Sequence, residues 1–333
     1  MARGGRFLSH LVPSMSDMAF LTDPVRVRAP ATSANLGPGF DALGLALARH
    51  DEVTARVTAG GARVTVTGEG AGELPSDESH LVVRSMRAAF DELGEQPAGL
   101  ELHCLNRIPQ ARGLGSSSAA IVAGVLLARA LVVDGAARMP DAAVLRLAAG
   151  LEGHPDNVAP CLLGGFTVAW TEEGGARAVR DNPAPGVRPV VFVPADRGLT
   201  EVARAALPAT VPHRDAAFNA GRSALLVQAI TRAPELLFPA TEDRLHQPYR
   251  AGGAPASAAL VAELRAGGVA AVVSGAGPTV LALVADDWTP PEPADWQVWP
   301  VDVDMTGATV TIGTRSGTVG HAERDPVAAG WAG

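Results

Sequence analysis

The chain has 333 residues, 47% of them hydrophobic, which is enough to bury a large core and suggests two domains. Its net charge of −8 and pI near 5.5, with no block of basic residues, argue against a nucleic-acid binder. No uninterrupted apolar run is long enough for a membrane span, so neither nucleic acid nor membrane is an expected partner and the location expected is cytoplasmic.

The opening, MARGGRFLSHLVPSMSDMAFL, is charged but broken by Ser9, His10, Pro13 and Ser14, a poor secretory signal; residues 1–23 read as a flexible extension. VRVRAP (25–30) alternates and ends at a proline, as a short strand does. Strand-like pieces follow at EVTARVT and ARVTVTG, joined by a turn at Gly60–Gly61. HLVVRSMRAAFDELG carries apolar residues at helical spacing and stops at Gly94. GLELHCLNRIP reads as a strand ended by Pro109, and residues 116–133 as a buried helix. PDAAVLRLAAGLEG is a second helix, with Pro140 suited to its first turn. DNVAPCLLGGFTVAW gives a short helix, a Gly-Gly break and a strand.

The stretch 171–186, rich in glycine, proline and charge, reads as the domain junction. Beyond it PVVFVPA is a strand, DAAFNAGRSALLVQAITR an amphipathic helix and PASAALVAELRAGG another. GVAAVVSGAGPTVLALVA reads as strand, turn, strand; VWPVDVDM and GATVTIG are closing strands, and the rest is tail. Strands and helices mix without regular alternation, which favours α+β. Cys104 and Cys161 lie in apolar surroundings with no partner motif, as reduced packing residues do.

Chemistry concentrates in a few stretches. In PQARGLGSSSAA (109–120) small residues let backbone N–H groups approach an anion at the start of a helix, although a tight packing loop would look similar. The chain contains no lysine, so a phosphate loop of the G-x-x-x-x-G-K-[ST] kind is excluded. PATSANLGPGFDALG (30–44) presents Ser33, Asn35 and Asp41 on a turn. In LEGHPDNVAPCLLGGF (151–166), His154 reads either as a structural histidine or as a site residue, and Asp156–Asn157 as an N-cap pair. GLTEVARAALP (198–208) and EDRLHQPYR (242–250) offer arginines that a solvated helix face would also carry.

IPQARGLGSSSA (108–119) resembles the ATP-binding signature of the GHMP superfamily of small-molecule kinases. The 30–44 and 151–166 stretches resemble the branch of that family that phosphorylates L-homoserine, and SGAGPT (274–279) resembles its third motif. The resemblance runs from about residue 24 to 315. It implies a two-domain α+β fold: an N-terminal nucleotide-binding domain at 24–175 and a C-terminal ferredoxin-like α/β-plait domain at 176–315, with a tail at 316–333. It implies ATP and Mg2+ as cofactors, L-homoserine as the small-molecule substrate, phosphorylation of its hydroxyl on the way to threonine, and a homodimer. ATP would lie along Pro109, Gln110, Ala111, Arg112, Gly113, Leu114, Gly115, Ser116, Ser117, Ser118 and Ala119. Ser117, with Ser116 the alternative, and Glu152 would reach the metal. Asn35, Asp41, His154, Asn157, Thr200, Arg204 and Arg250 would bind substrate, with Asp41 at its ammonium and arginine at its carboxylate. Asn157 and Arg204 would act in catalysis. Some relatives hold an aspartate thought to be the base where Asn157 stands, so the site is expected to work without one. The alternatives are a GHMP kinase for another hydroxyl compound, and a nucleotide-binding regulator without the chemistry.

Overall fold

The computed structural model describes residues 19–198, 200–284 and 288–313. The first body is built on a seven-stranded sheet: β1 (Val25–Ala34), β2 (Leu43–Thr58), β3 (Gly61–Gly68), β4 (Gly99–Asn106), β5 (Phe166–Glu172), β6 (Gly175–Asp181) and β11 (Thr309–Ile312). Along β1 the pattern changes partway. Residues 25–28 alternate buried and exposed, as on a sheet with one wet face, whereas Ala29–Ala34 are buried on both faces. That strand is covered by α2 and α5, and its end at Ser33 and Ala34 also bonds Ser274 and Gly275 of the second body.

Helices α1 (Leu81–Leu93), α2 (Ser116–Leu131), α3 (Gly135–Arg138), α4 (Asp141–Glu152) and α5 (Val158–Leu163) complete the first body. α2 packs against α1, α4 and β1, and its buried residues come from nearly all round the helix, which explains its apolar run. α1 ends on Gly94 at φ 69°, the left-handed position a glycine accepts without strain. Pro140 stands at the N-cap of α4, one residue ahead of the first turn expected for it.

The second body has a four-stranded antiparallel sheet in the order β10 (Trp296–Pro300), β7 (Arg188–Pro194), β9 (Val280–Val284), β8 (Ala270–Val273). Between β7 and β8 run α6 (Thr200–Ala205), α7 (His213–Thr231), α8 (Leu237–Ala240), α9 (Gln247–Arg250) and α10 (Pro255–Ala266), with α10 against β8 and β9. This strand order is that of the expected ferredoxin-like plait.

Three expectations change. The stretch 171–186 is not a linker: β5 and β6 form a hairpin of the first sheet across it, and the chain crosses to the second sheet only at β7. β11 returns to pair with β1, so the first sheet closes with residues from near the end of the described chain. Residues 19–23 of the presumed extension pack on the first body, where Phe20 bridges Val132 and meets Phe90 edge-on. The rest of that extension and the tail at 316–333 lie outside the described residues. Cys104 and Cys161 are buried and unpaired as expected, and burial pushes the Cys104 thiol up to about 12.

Candidate active site

The Gly/Ser-rich loop leads straight into α2, whose N-cap is Gly115 at φ 68°. A side chain there would meet the Thr32 hydroxyl, so both the backbone angle and the space require glycine. The first N–H groups of α2 have no intrahelical acceptor and carry the positive end of a helix of 16 residues. The loop is held from outside: Leu114 O accepts the Thr32 N–H at 3.0 Å, and Gly113 O accepts the Ser274 hydroxyl at 2.7 Å. With that proton given to Gly113, Ser274 Oγ accepts the Ser33 hydroxyl at 2.8 Å, so the three glycine-rich stretches are tied in one knot. Ser33 is therefore a fastener between the two bodies and not a group presented to a ligand.

Arg112 departs from expectation in the same way. Its guanidinium donates to the carbonyls of Gln110, Pro194 and Ala195 at 2.8, 3.0 and 2.5 Å. The side chain fastens the loop to the end of β7 and is not available to a phosphate. The arrangement therefore relies on backbone N–H groups and hydroxyls at this loop, with no cationic side chain of its own.

Twelve of the expected site residues line one cavity of about 250 Å³ between the two bodies: Asn35, Ala111, Gly113, Gly115, Ser116, Ser117, Glu152, His154, Asn157, Thr200, Arg204 and Arg250. Glu152, at the end of α4, accepts the Ser117 hydroxyl at 2.6 Å and the Ser118 hydroxyl at 2.9 Å through one carboxylate oxygen. Hydroxyl and carboxylate are the hard oxygen donors that magnesium takes. Among the described residues no group of three or more His, Cys, Asp or Glu could hold a metal, so an ion here would need oxygens from the nucleotide as well.

Asn157 is buried and its Oδ1 accepts the Thr32 hydroxyl at 2.8 Å, which fixes the amide and leaves Nδ2 as a donor for the cleft. His154 Nδ1 lies 2.7 Å from Asp156 Oδ1, and this bond raises the imidazole above its ordinary pKa. Asp156 is fully buried, and its second oxygen has no hydrogen-bond partner. Asp156 is thus the orienting group for His154, and not half of a helix cap.

Asp41 does not stand open. Its backbone is held at φ 54° by a bond from its N–H to Asn35 Oδ1 at 2.8 Å, and its carboxylate takes Arg204 in a fork of 2.9 and 2.8 Å. Asp41 in turn holds Arg204 above the usual guanidinium pKa. Arg250 is buried: Nε donates to Ala203 O at 3.1 Å, and the guanidinium sits 5.0 Å over the Phe40 ring. Burial, then the nearby Arg204, lowers its pKa. His246 stacks on the other partner of this cluster, Phe40, with centroids 5.2 Å apart, and bonds Gly37 O at 2.6 Å.

A second cavity, of about 290 Å³, opens on the other side of the loop and shares Ser116 and Ser117 with the first. Leu74, Pro75, Val53 and Ala120 give it apolar walls; besides the two serines, Asp51, Ser79, His80, Asn106 and Gln110 are its polar residues. Sequence reasoning did not single out Thr32, Phe40, Asp51, His80 or His246, and it gave Asp156 only a capping role. Thr32, Phe40, Asp156 and His246 carried a signal, by lying inside stretches already marked; Asp51 and His80 did not.

Residues 80–165 match the family model described as GHMP kinases N terminal domain, and residues 216–292 match GHMP kinases C terminal. The homoserine kinase of Streptomyces coelicolor is 59% identical over 309 residues, spanning 91% of this chain and 100% of that one. The chain belongs to the GHMP kinase family. The homoserine kinase of Clavibacter michiganensis subsp. michiganensis is 49% identical to this GHMP kinase, over 86% of it and 94% of the relative. Among solved structures, the crystal structure of homoserine kinase from Cytophaga hutchinsonii superposes at a TM-score of 0.74 with 26% identity, covering 87% of this kinase and 98% of that chain. The kinase uses ATP, as its family does, and none of its described helices is long and apolar enough to cross a membrane.

Proposed function

We propose that the protein transfers the γ-phosphoryl group of ATP to the side-chain hydroxyl of L-homoserine, forming O-phospho-L-homoserine in threonine biosynthesis. The observation that carries this reading is the Asp41–Arg204 fork at the rim of a cleft floored by the α2 N-terminus. A free amino acid has both an ammonium and a carboxylate. It can enter by exchanging partners, its ammonium taking Asp41 and its carboxylate taking Arg204, with Arg250 behind. One ion pair becomes two, and no charge is left unpaired. A sugar or a mevalonate has no ammonium to offer Asp41.

The phosphates lie along Ala111 to Ser118, where backbone N–H groups and serine hydroxyls surround them. Ser117 and Glu152 would hold Mg2+, which supplies charge neutralisation at the phosphate oxygens when bound. Asn157 Nδ2 and His154 are the hydrogen-bonding groups beside the acceptor hydroxyl. Asn157 accepts no proton, so the chemistry rests on positioning and charge stabilisation, and the hydroxyl proton leaves late to a phosphate oxygen or water. An ADP-release assay across L-homoserine, mevalonate, galactose and shikimate tests the reading. L-homoserine should lead by orders of magnitude; faster turnover of another compound would remove the assignment.

A further inference from the structure

The turn that carries Asp41 belongs to the first body but is seated on the second. Ser223 Oγ and Asn219 Nδ2 both donate to Pro38 O, at 2.8 and 3.2 Å. Gly37 stands so close to Thr241 that a Cβ would lie 2.6 Å from its carbonyl oxygen. His246 completes the seat. Its side chain is fully buried, and its Nε2 lies 2.6 Å from Gly37 O. Its other ring nitrogen, Nδ1, lies 3.4 Å from Arg250 Nη1.

These two partners fix the tautomer. A carbonyl only accepts and a guanidinium only donates, so Nε2 carries the proton and Nδ1 is bare. Burial lowers the pKa of His246, which favours that neutral ring. The ring is also held in place. Its own N–H donates to Asp243 Oδ2 at 3.1 Å, and one helical turn later the Arg250 N–H donates to its carbonyl at 3.1 Å. Its face stacks on Phe40, the residue before Asp41, and the Arg250 guanidinium lies 5.0 Å from that same ring. One imidazole thus bonds the Asp41 turn at one nitrogen and Arg250 at the other.

We propose that His246 is a positioning residue for the substrate, holding Arg250 in register with the Asp41 turn so that the carboxylate and ammonium ends of the site keep one spacing. The inference rests on Asp41 and the arginines being the partners of L-homoserine. An α-amino acid carries both charges on one carbon, so their separation is fixed. A guanidinium free to swing meets the carboxylate in only part of its positions, and that loss falls on substrate binding.

The test compares L-homoserine with its carboxamide, which lacks the anion, as acceptors from Mg-ATP. His246→Gln keeps a donor for Gly37 O at the place of Nε2 but offers Arg250 no acceptor. It should raise KM for L-homoserine about tenfold and narrow the preference for acid over amide, with kcat and KM for ATP changed much less. His246→Asn does the reverse. Its carbonyl stands where Nδ1 stood and keeps the bond to Arg250, so most of the preference should remain. In an Arg250→Ala background, His246→Gln should cost less than about threefold more, because the group it aims is gone.

Additive losses in that cycle overturn the proposal, as does an equal acid-over-amide preference in the Gln and Asn variants. So does a Gln variant whose KM rises alike for L-homoserine and ATP, which is the mark of a residue that serves only the fold. Should His246→Gln not fold, His246→Phe carries the same prediction through the same cycle, since it keeps the stack on Phe40 and removes both bonds. Absence of transfer to L-homoserine by the wild type would instead sink the functional reading on which this one rests.

Discussion

Arg204 and Asp41 hold each other, an interaction that the proposed exchange of partners with the substrate would have to rearrange. Arg204→Ala leaves Asp41 without its cation and the substrate carboxylate without its fork. KM for L-homoserine should rise about 10- to 150-fold, the range for a charge-assisted hydrogen bond, with KM for ATP much less affected. Arg204→Lys should restore only part, because an ammonium cannot form the planar fork. Equal loss for both substrates would show that the arginine serves the fold and not the pocket.

Asp51 carries a separate pH signature at the same scale. Burial raises it to about 6, against an ordinary value near 3.9. The folded protein therefore keeps the proton over a range where the unfolded chain has lost it. Stability from this group is full below the ordinary value and is lost as pH rises through about 6. The shift corresponds to roughly 3 kcal/mol at most. Asp51→Asn has no such ionisation, so it should gain on the wild type between pH 4.5 and about 7 in urea midpoints. Parallel curves would show that Asp51 titrates normally.

At the level of elements, the site is the meeting of two helix ends: the start of α2 brings Ser117 and Ser118, and the end of α4 brings Glu152. Glu152→Gln keeps the shape and both hydroxyl contacts but removes the charge. It should lower kcat strongly and raise the magnesium requirement, with partial rescue at high magnesium. An unchanged rate and an unchanged magnesium dependence would move the metal elsewhere. Most of these elements were legible in the sequence, because α1, α2, α4, α7 and α10 announce themselves by period, caps or apolar runs. β6 was not: GARAVRD is a polar hairpin partner that looks like the loop around it, and only its pairing with β5 makes it a strand. Pairing was equally hidden for β3, which follows β2 across Gly60–Gly61 yet lies parallel to β4. Which strands meet is decided by contacts far apart in the chain, and local pattern does not encode them.

The same limit applies to the site. Residues inside motifs, such as Ser117, Glu152, His154 and Asn157, are brought together in one cavity. The groups that hold them were not legible. Thr32 reaches Asn157 across 125 residues, and Ser274 reaches Ser33 across 241. Resemblance placed Arg112 at the phosphates, whereas three carbonyls claim it.

Over the whole molecule the Gly/Ser-rich loop is the seam between the two bodies, and Arg112 is its main polar stitch. Arg112→Ala should raise KM for ATP several-fold and lower Tm by about 2–4 °C for each kcal/mol lost. A melting temperature unchanged within error would show that the knot of Ser33, Ser274 and Gly113 suffices. The closure of the first sheet by β11 reaches further. A ribosome delivers β11 only after every other strand of both sheets, so during synthesis one edge of β1 waits until the second body has been made. Until then that strand presents unpaired backbone groups to any other nascent chain nearby. The first body cannot mature ahead of the body that follows it, and the two must be completed as one product.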